Sequence, residues 1–139
     1  MTERVDPVAE YRMFVLDGTP VATSLYATRG RPDSRPVPDV DAPALARFAE
    51  SVFVRTTGSL PSAVVVDVGT VLVPGAAAPT WTVIEANAAW SSGVYACDPD
   101  AALQAVLRSA GPRDEVRQSD VPFLRCGAGR GDPAGVPDN

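Results

Sequence analysis

The run Ala63-Val64-Val65-Val66-Asp67-Val68-Gly69-Thr70-Val71-Leu72-Val73, followed by Thr80-Trp81-Thr82-Val83-Ile84-Glu85-Ala86-Asn87, decides how this chain is read. Both stretches are rich in β-branched and aromatic residues, which suit a pleated surface. Pro74-Gly75-Ala76-Ala77-Ala78-Pro79 lies between them and reads as a hairpin tip. Folding symmetrically about Ala76 sets Asp67 opposite Glu85. Directly opposed like charges destabilise a sheet, because their Cβ atoms lie only about 5 Å apart. A cation is therefore expected between them, and a hard divalent metal is the evident candidate. Side chains alternate along a strand. Val64, Val66, Val68 and Ile84 are thus expected on one side, and Asp67, Gly69, Glu85 and Asn87 on the other.

Outward from this hairpin, Tyr11-Arg12-Met13-Phe14-Val15-Leu16 and Val21-Ala22-Thr23-Ser24-Leu25-Tyr26 flank Asp17-Gly18, a strong tight-turn dipeptide. A second hairpin is predicted over residues 9–28. Residues 29–40 hold Pro32, Pro36 and Pro38 with Arg29, Arg31 and Arg35, and read as a mobile loop. Asp41 then caps a helix with Pro43 in its first turn, and Leu45, Phe48, Ala49, Val52 and Phe53 recur at helical spacing. That helix should fade near Thr57-Gly58. Asp98-Pro99 opens a second helix, which Gly111-Pro112 ends. The expectation is an α+β domain over residues 1–111: an antiparallel sheet built from two hairpins, with two helices packed on one face. Residues 112–139, dominated by glycine, proline and charge, are expected to form a disordered tail.

Composition narrows the chemistry. The chain has 139 residues, 45% hydrophobic and 21% charged, with a net charge of -5. These values suit one soluble domain and argue against non-specific binding to nucleic acid or an anionic membrane. No apolar run approaches the ~18 residues of a membrane span, and Met1-Thr2-Glu3-Arg4-Val5-Asp6 lacks a signal-peptide pattern. A cytoplasmic protein is expected. There is no histidine, and all 12 basic residues are arginine. A Ser-His-Asp triad, histidine metal ligation and a Schiff-base lysine are therefore excluded within this chain. Cys97 and Cys126 are the two cysteines; a disulfide between them is open, and two reduced thiols are expected.

Val65-Val66-Asp67-Val68-Gly69 with Trp81-Thr82-Val83-Ile84-Glu85-Ala86-Asn87 resembles the metal-binding motif of the ATP-grasp superfamily, an aspartate on one strand and Glu-x-Asn on its hairpin partner. The continuation through Ala88-Ala89-Trp90-Ser91-Ser92-Gly93-Val94-Tyr95 is similar to an uncharacterised bacterial ATP-grasp subfamily. Ala9-Glu10-Tyr11-Arg12 resembles its hairpin with a phosphate-facing arginine. The resemblance spans roughly Glu3 to Ala110 and implies the C-terminal, metal-bearing lobe.

It implies two magnesium ions, with Asp67 on one, Glu85 bridging both and the Asn87 amide oxygen completing the second. It also implies ATP as co-substrate, Arg12 as a catalytic, phosphate-facing group, and Glu3 as an acid meeting adenine or ribose. Two other readings stay open: Asp67 and Glu85 as exposed strand acids, and Arg12 in a structural salt bridge with Glu10 or another acid. Arg29, Arg31 and Arg35 are read either as closing over an anion or as a solvated loop.

The implied activity is ligation. A small-molecule or peptide carboxylate is activated as an acyl phosphate, which an amine or similar nucleophile attacks. The glycine-rich covering loop of the family has no counterpart here, so a missing N-terminal lobe or a partner chain is expected, with weak binding and no turnover by the chain alone. The alternatives are a non-catalytic, degenerate lobe that binds a partner, and a metal-binding domain unrelated to nucleotides.

Overall fold

The fold is described from a computed structural model over residues 5–124. The element order is β1 (Asp6–Leu16), β2 (Thr19–Thr28), β3 (Arg31–Pro36), α1 (Ala42–Arg55), β4 (Ala63–Leu72), β5 (Thr80–Asn87) and α2 (Pro99–Ser109). The strands form one five-stranded antiparallel sheet in the order β3-β2-β1-β4-β5. The α+β reading stands, as do both hairpins and both helices. The long-range step is the pairing of β1 with β4, which joins the two hairpins along Asp6–Leu16.

β3 occupies the segment read as a mobile loop. Arg29 and Gly30 take φ values of 51° and 70°, which turn the chain back onto β2. Glycine favours such a turn and arginine does not, so the dipeptide carries a weak signal. Pro32 and Pro36 are tolerated because β3 is an edge strand and needs hydrogen bonds on one side alone.

Strand alternation gives β1 and β4 two faces. Tyr11, Met13 and Val15 pair with Val68, Val66 and Val64, and pack against Leu45, Ala49 and Phe53 of α1. Phe14 and Val65 face the other way and pack against Ala102 and Ala105 of α2. The helices therefore lie on opposite faces rather than together on one. The reason lies in the uninterrupted run Ala63–Val66, which is buried throughout: a strand apolar on both faces needs cover on both.

Local chemistry sets the helix starts. The Asp98 side chain accepts a hydrogen bond from the Ala101 amide at 2.8 Å and caps α2. Asp41 precedes α1 as expected but caps nothing with its side chain. Its carboxylate instead accepts the Tyr11 hydroxyl at 2.8 Å, tying the helix start to β1. Burial, then that bond to Asp41, raise the Tyr11 pKa above the ordinary value of 10.0.

Residues 112–124, read as the start of a tail, form two 3-10 turns at Arg113–Glu115 and Gln118–Phe123. The Asp120 carboxylate accepts from the Ser62 amide at 2.6 Å and the Ser62 hydroxyl at 2.5 Å. Arg117 donates to Asp17 at 3.0 Å. These polar ties hold the segment beside the start of β4. The rest of the expected tail, residues 125–139, lies outside the described residues.

Candidate nucleotide and metal site

The second face of β1 and β4 carries charge next to its apolar end. Arg12 is the register partner of Asp67. Its Nε donates to Asp67 Oδ1 at 2.9 Å and its Nη2 to Oδ2 at 2.7 Å, a two-pronged ion pair. Asp67 is 1% exposed and Arg12 8%. The bond to Asp67 raises the guanidinium pKa further, against burial, which lowers it. Of the two sequence readings for Arg12, the pair with an acid is the arrangement present; the acid is Asp67 rather than Glu10.

Three further groups enclose the guanidinium. Nη1 donates to the Gly93 carbonyl at 3.1 Å. The guanidinium carbon lies 4.9 Å from the Tyr95 ring centroid and 5.5 Å from that of Tyr26, within cation–π range. The two rings stack, 5.1 Å apart and inclined by 15°. The Tyr26 hydroxyl donates to Glu10 Oε2 at 2.9 Å. Burial, then this bond to Glu10, raise the Tyr26 pKa above its ordinary 10.0.

None of these partners is legible as such in the sequence. Tyr26 is the extra residue where β1 pairs Glu10 with Ala27 and Tyr11 with Leu25. Such a bulge re-aims a side chain without changing composition. Tyr95 was read as a packing residue; it is half exposed, with a φ of 52°. That conformation is uncommon for a bulky residue.

Asp67 faces Glu85 in register, as the hairpin arithmetic predicts. The register then slips, because Val68 pairs with Val83. Ile84 is the extra residue. It does not join Val64, Val66 and Val68 on the α1 side as expected. A Cβ on Gly69 would come 3.0 Å from the Ile84 Cδ1, so Ile84 lies over the glycine on the Asp67 side. The same Cβ would sit 2.7 Å from the Ala9 carbonyl oxygen, a distance no ordinary side chain tolerates. Glycine at 69 thus lets β1 approach closely beside Asp67.

Glu85 is exposed and Asn87 half-buried, two residues apart on the edge strand β5. Glu85 makes no ion pair among the described residues. No group of three or more acidic, thiol or imidazole side chains is assembled for a metal among them either; the set here is two carboxylates and an amide. The cation that opposed acids require is already present for Asp67 in the form of Arg12.

Other sequence candidates fall elsewhere. Glu3 lies outside the described residues, as do Cys126 and the glycine-rich stretch Gly127-Ala128-Gly129-Arg130-Gly131. Cys97 is buried, with its Sγ 3.4 Å from the Ser24 hydroxyl, and burial raises its thiol pKa. Arg35 pairs with Asp33 at 3.1 Å on β3, at the far edge of the sheet from β5. The Ser91 and Ser92 hydroxyls donate to the Ala88 carbonyl at 3.2 and 2.9 Å, so both serve the turn. Trp81 stacks on Tyr11 and Phe48 as a packing residue.

A sheet bearing an aspartate on one strand and Glu-x-Asn on its hairpin partner, beside a buried arginine, has the form of an ATP-grasp lobe. Residues 1–105 match a family described as an ATP-grasp domain, the second family of its clade, and the chain belongs to it. It is an ATP-binding lobe of the ligase type. No curated protein matches the chain, and no solved structure does. No described helix is long and apolar enough to cross a membrane.

Proposed function

We propose that magnesium–ATP binds on the α2 face of β1, β4 and β5, and that the lobe serves to activate a carboxylate. The γ-phosphoryl group passes to a carboxylate oxygen as its bond to the β-phosphate breaks and ADP leaves. An amine or similar nucleophile then attacks the acyl carbon and phosphate departs. The observation carrying this reading is the shared face of Glu85, Asn87 and the Arg12–Asp67 pair.

The donor chemistry fits magnesium, a hard cation that takes oxygen ligands and often needs one or two carboxylates beside phosphate and water. Glu85 and Asn87 would hold it, and a second ion, through a carboxylate and an uncharged amide oxygen. Magnesium would neutralise charge on the phosphates and polarise the transferring group.

The protein's own contribution is position and fixed charge. The Arg12 edge at Nη1 is the part open to exchange, since it holds the neutral Gly93 carbonyl. A phosphate oxygen would be a stronger partner there. Turning Arg12 toward phosphate would free the Asp67 oxygens to join the metal set. Tyr26 and Tyr95 keep the guanidinium against the sheet meanwhile.

Calorimetric titration with ATP and a non-hydrolysable analogue, with and without magnesium, tests this. The wild type should bind nucleotide only with the metal, and Glu85→Ala should weaken binding at least about tenfold. Glu85 is exposed, so its replacement should leave folding intact. Nucleotide binding that ignores both magnesium and Glu85 would refute the reading. No binding at all by the wild type would favour a partner-binding module.

A further inference from the structure

The match to the family ends at residue 105, yet one wall of the largest groove lies beyond it. That groove holds about 810 Å³ and runs from Asn87 and Trp90 past Leu107 to Arg113 and Phe123. Its volume is that of a small-molecule site. It begins at a residue of the candidate metal set and ends on the segment after α2.

Three features argue for a ligand. Trp90, Leu107 and Phe123 are 54%, 60% and 40% exposed, and all three line this one groove. Large apolar side chains converging in a concave site mark a binding surface more often than chance exposure does. Second, Arg108 and Arg117 also line it, but both donate to Asp17, at 3.2 and 3.0 Å. Arg113 makes no ion pair among the described residues. Third, the outer wall is held in place by side chains rather than by a packed core: Asp120 grips Ser62 through two bonds.

We propose that residues 112–124 form a substrate-selecting wall, and that the groove takes an organic acid whose apolar body lies on Trp90, Leu107 and Phe123 and whose anionic group is held by Arg113. The proposal rests on the nucleotide reading above, because that reading gives the Asn87 end of the groove its reactive phosphate. The acid is fixed by a guanidinium at one place and by hydrophobic contact along its length. The selection is local to this chain's own extension, outside the family's matched span.

The test is a protein-observed NMR titration with octanoate, with 1-octanol as the uncharged control of equal length, beside a separate magnesium–ATP titration. Octanoate should shift the Trp90 indole N–H and bind about tenfold tighter than octanol. Arg113→Ala, an exposed position, should erase that preference. Asp120→Ala should weaken both ligands by releasing the wall. Neither variant should alter magnesium–ATP binding. Equal affinity for the two ligands in the wild type, or an undiminished preference in Arg113→Ala, overturns the proposal while leaving the nucleotide reading intact. Octanoate binding in a protein that does not bind magnesium–ATP overturns the substrate role assigned to the groove and the nucleotide reading together.

Discussion

The two faces of β1 and β4 carry the same alternation and opposite chemistry. Toward α1, Tyr11, Met13, Val15, Val64, Val66 and Val68 make a continuous apolar surface. Toward α2 the apolar part stops at Phe14 and Val65, and the next register pair is Arg12 with Asp67. Both faces are buried at this point, so the difference is not one of exposure. On the first face each side chain contributes by leaving water, and neighbours are interchangeable at similar volume. On the second, each charge depends on one partner in one geometry. A fold built for stability alone would repeat the first face on both sides.

The largest effect is expected where that dependence is broken. Asp67→Ala leaves Arg12 buried without its counter-charge and should cost about 3–5 kcal/mol. Val66→Ala, one residue away on the other face, should cost about 2 kcal/mol. Chemical denaturation of both variants measures the contrast. The double change Arg12→Met with Asp67→Leu should recover most of the stability lost in Asp67→Ala, because a buried ion pair can be exchanged for packing at little net cost. If the double variant is no more stable than Asp67→Ala, the pair is not the reason for the difference between faces.

A smaller effect is expected at Gly69, on the charged face beside Asp67. The added methyl group of Gly69→Ala meets the Ala9 carbonyl and Ile84, and should cost about 1–3 kcal/mol. The midpoint of urea unfolding reports it; an unchanged midpoint would show that β1 and Ile84 move aside freely.

The smallest effect at neutral pH, and a clear one in alkali, concerns the tyrosines that brace each face. Tyr11 bonds Asp41 on the α1 side and Tyr26 bonds Glu10 on the α2 side. Both folded-state pKa values are raised above 10.0. Their contribution is therefore complete below the ordinary tyrosine pKa. It is lost as pH rises from there through the folded values, since the unfolded chain ionises first. Melting temperature should hold below the ordinary tyrosine pKa of about 10 and fall above it, and Tyr11→Phe with Tyr26→Phe should flatten that alkaline slope. A slope unaltered by the double substitution would assign the loss to other groups.

Much of this architecture can be read from local sequence. Asp17-Gly18 turns the first hairpin, Asp98 caps α2, and the spacing of Leu45, Ala49 and Phe53 lays α1 on the sheet. The opposition of Asp67 and Glu85 follows from hairpin arithmetic and holds in the register. β3 was hidden by its prolines, which an edge strand accepts. The placement of α2 on the opposite face was hidden by the valine run, whose alternation is silent when both sides are apolar.

The candidate site divides along the same line. Asp67, Glu85 and Asn87 are visible in sequence because their oxygens sit on two strands joined by a short tip. Their shared face follows from a period of two residues. The sequence by itself determined these elements, the family resemblance and the need for a cation opposite Asp67. Tertiary structure alone decided which cation meets it. Arg12 lies 55 positions away and reaches Asp67 because β1 pairs with β4 in one register. Two bulges then bring Tyr26 and Ile84 to the charged side. Local preference fixes turns and faces over a few residues; long-range strand pairing fixes which distant side chains share a buried, low-dielectric space, where a charge must have a partner.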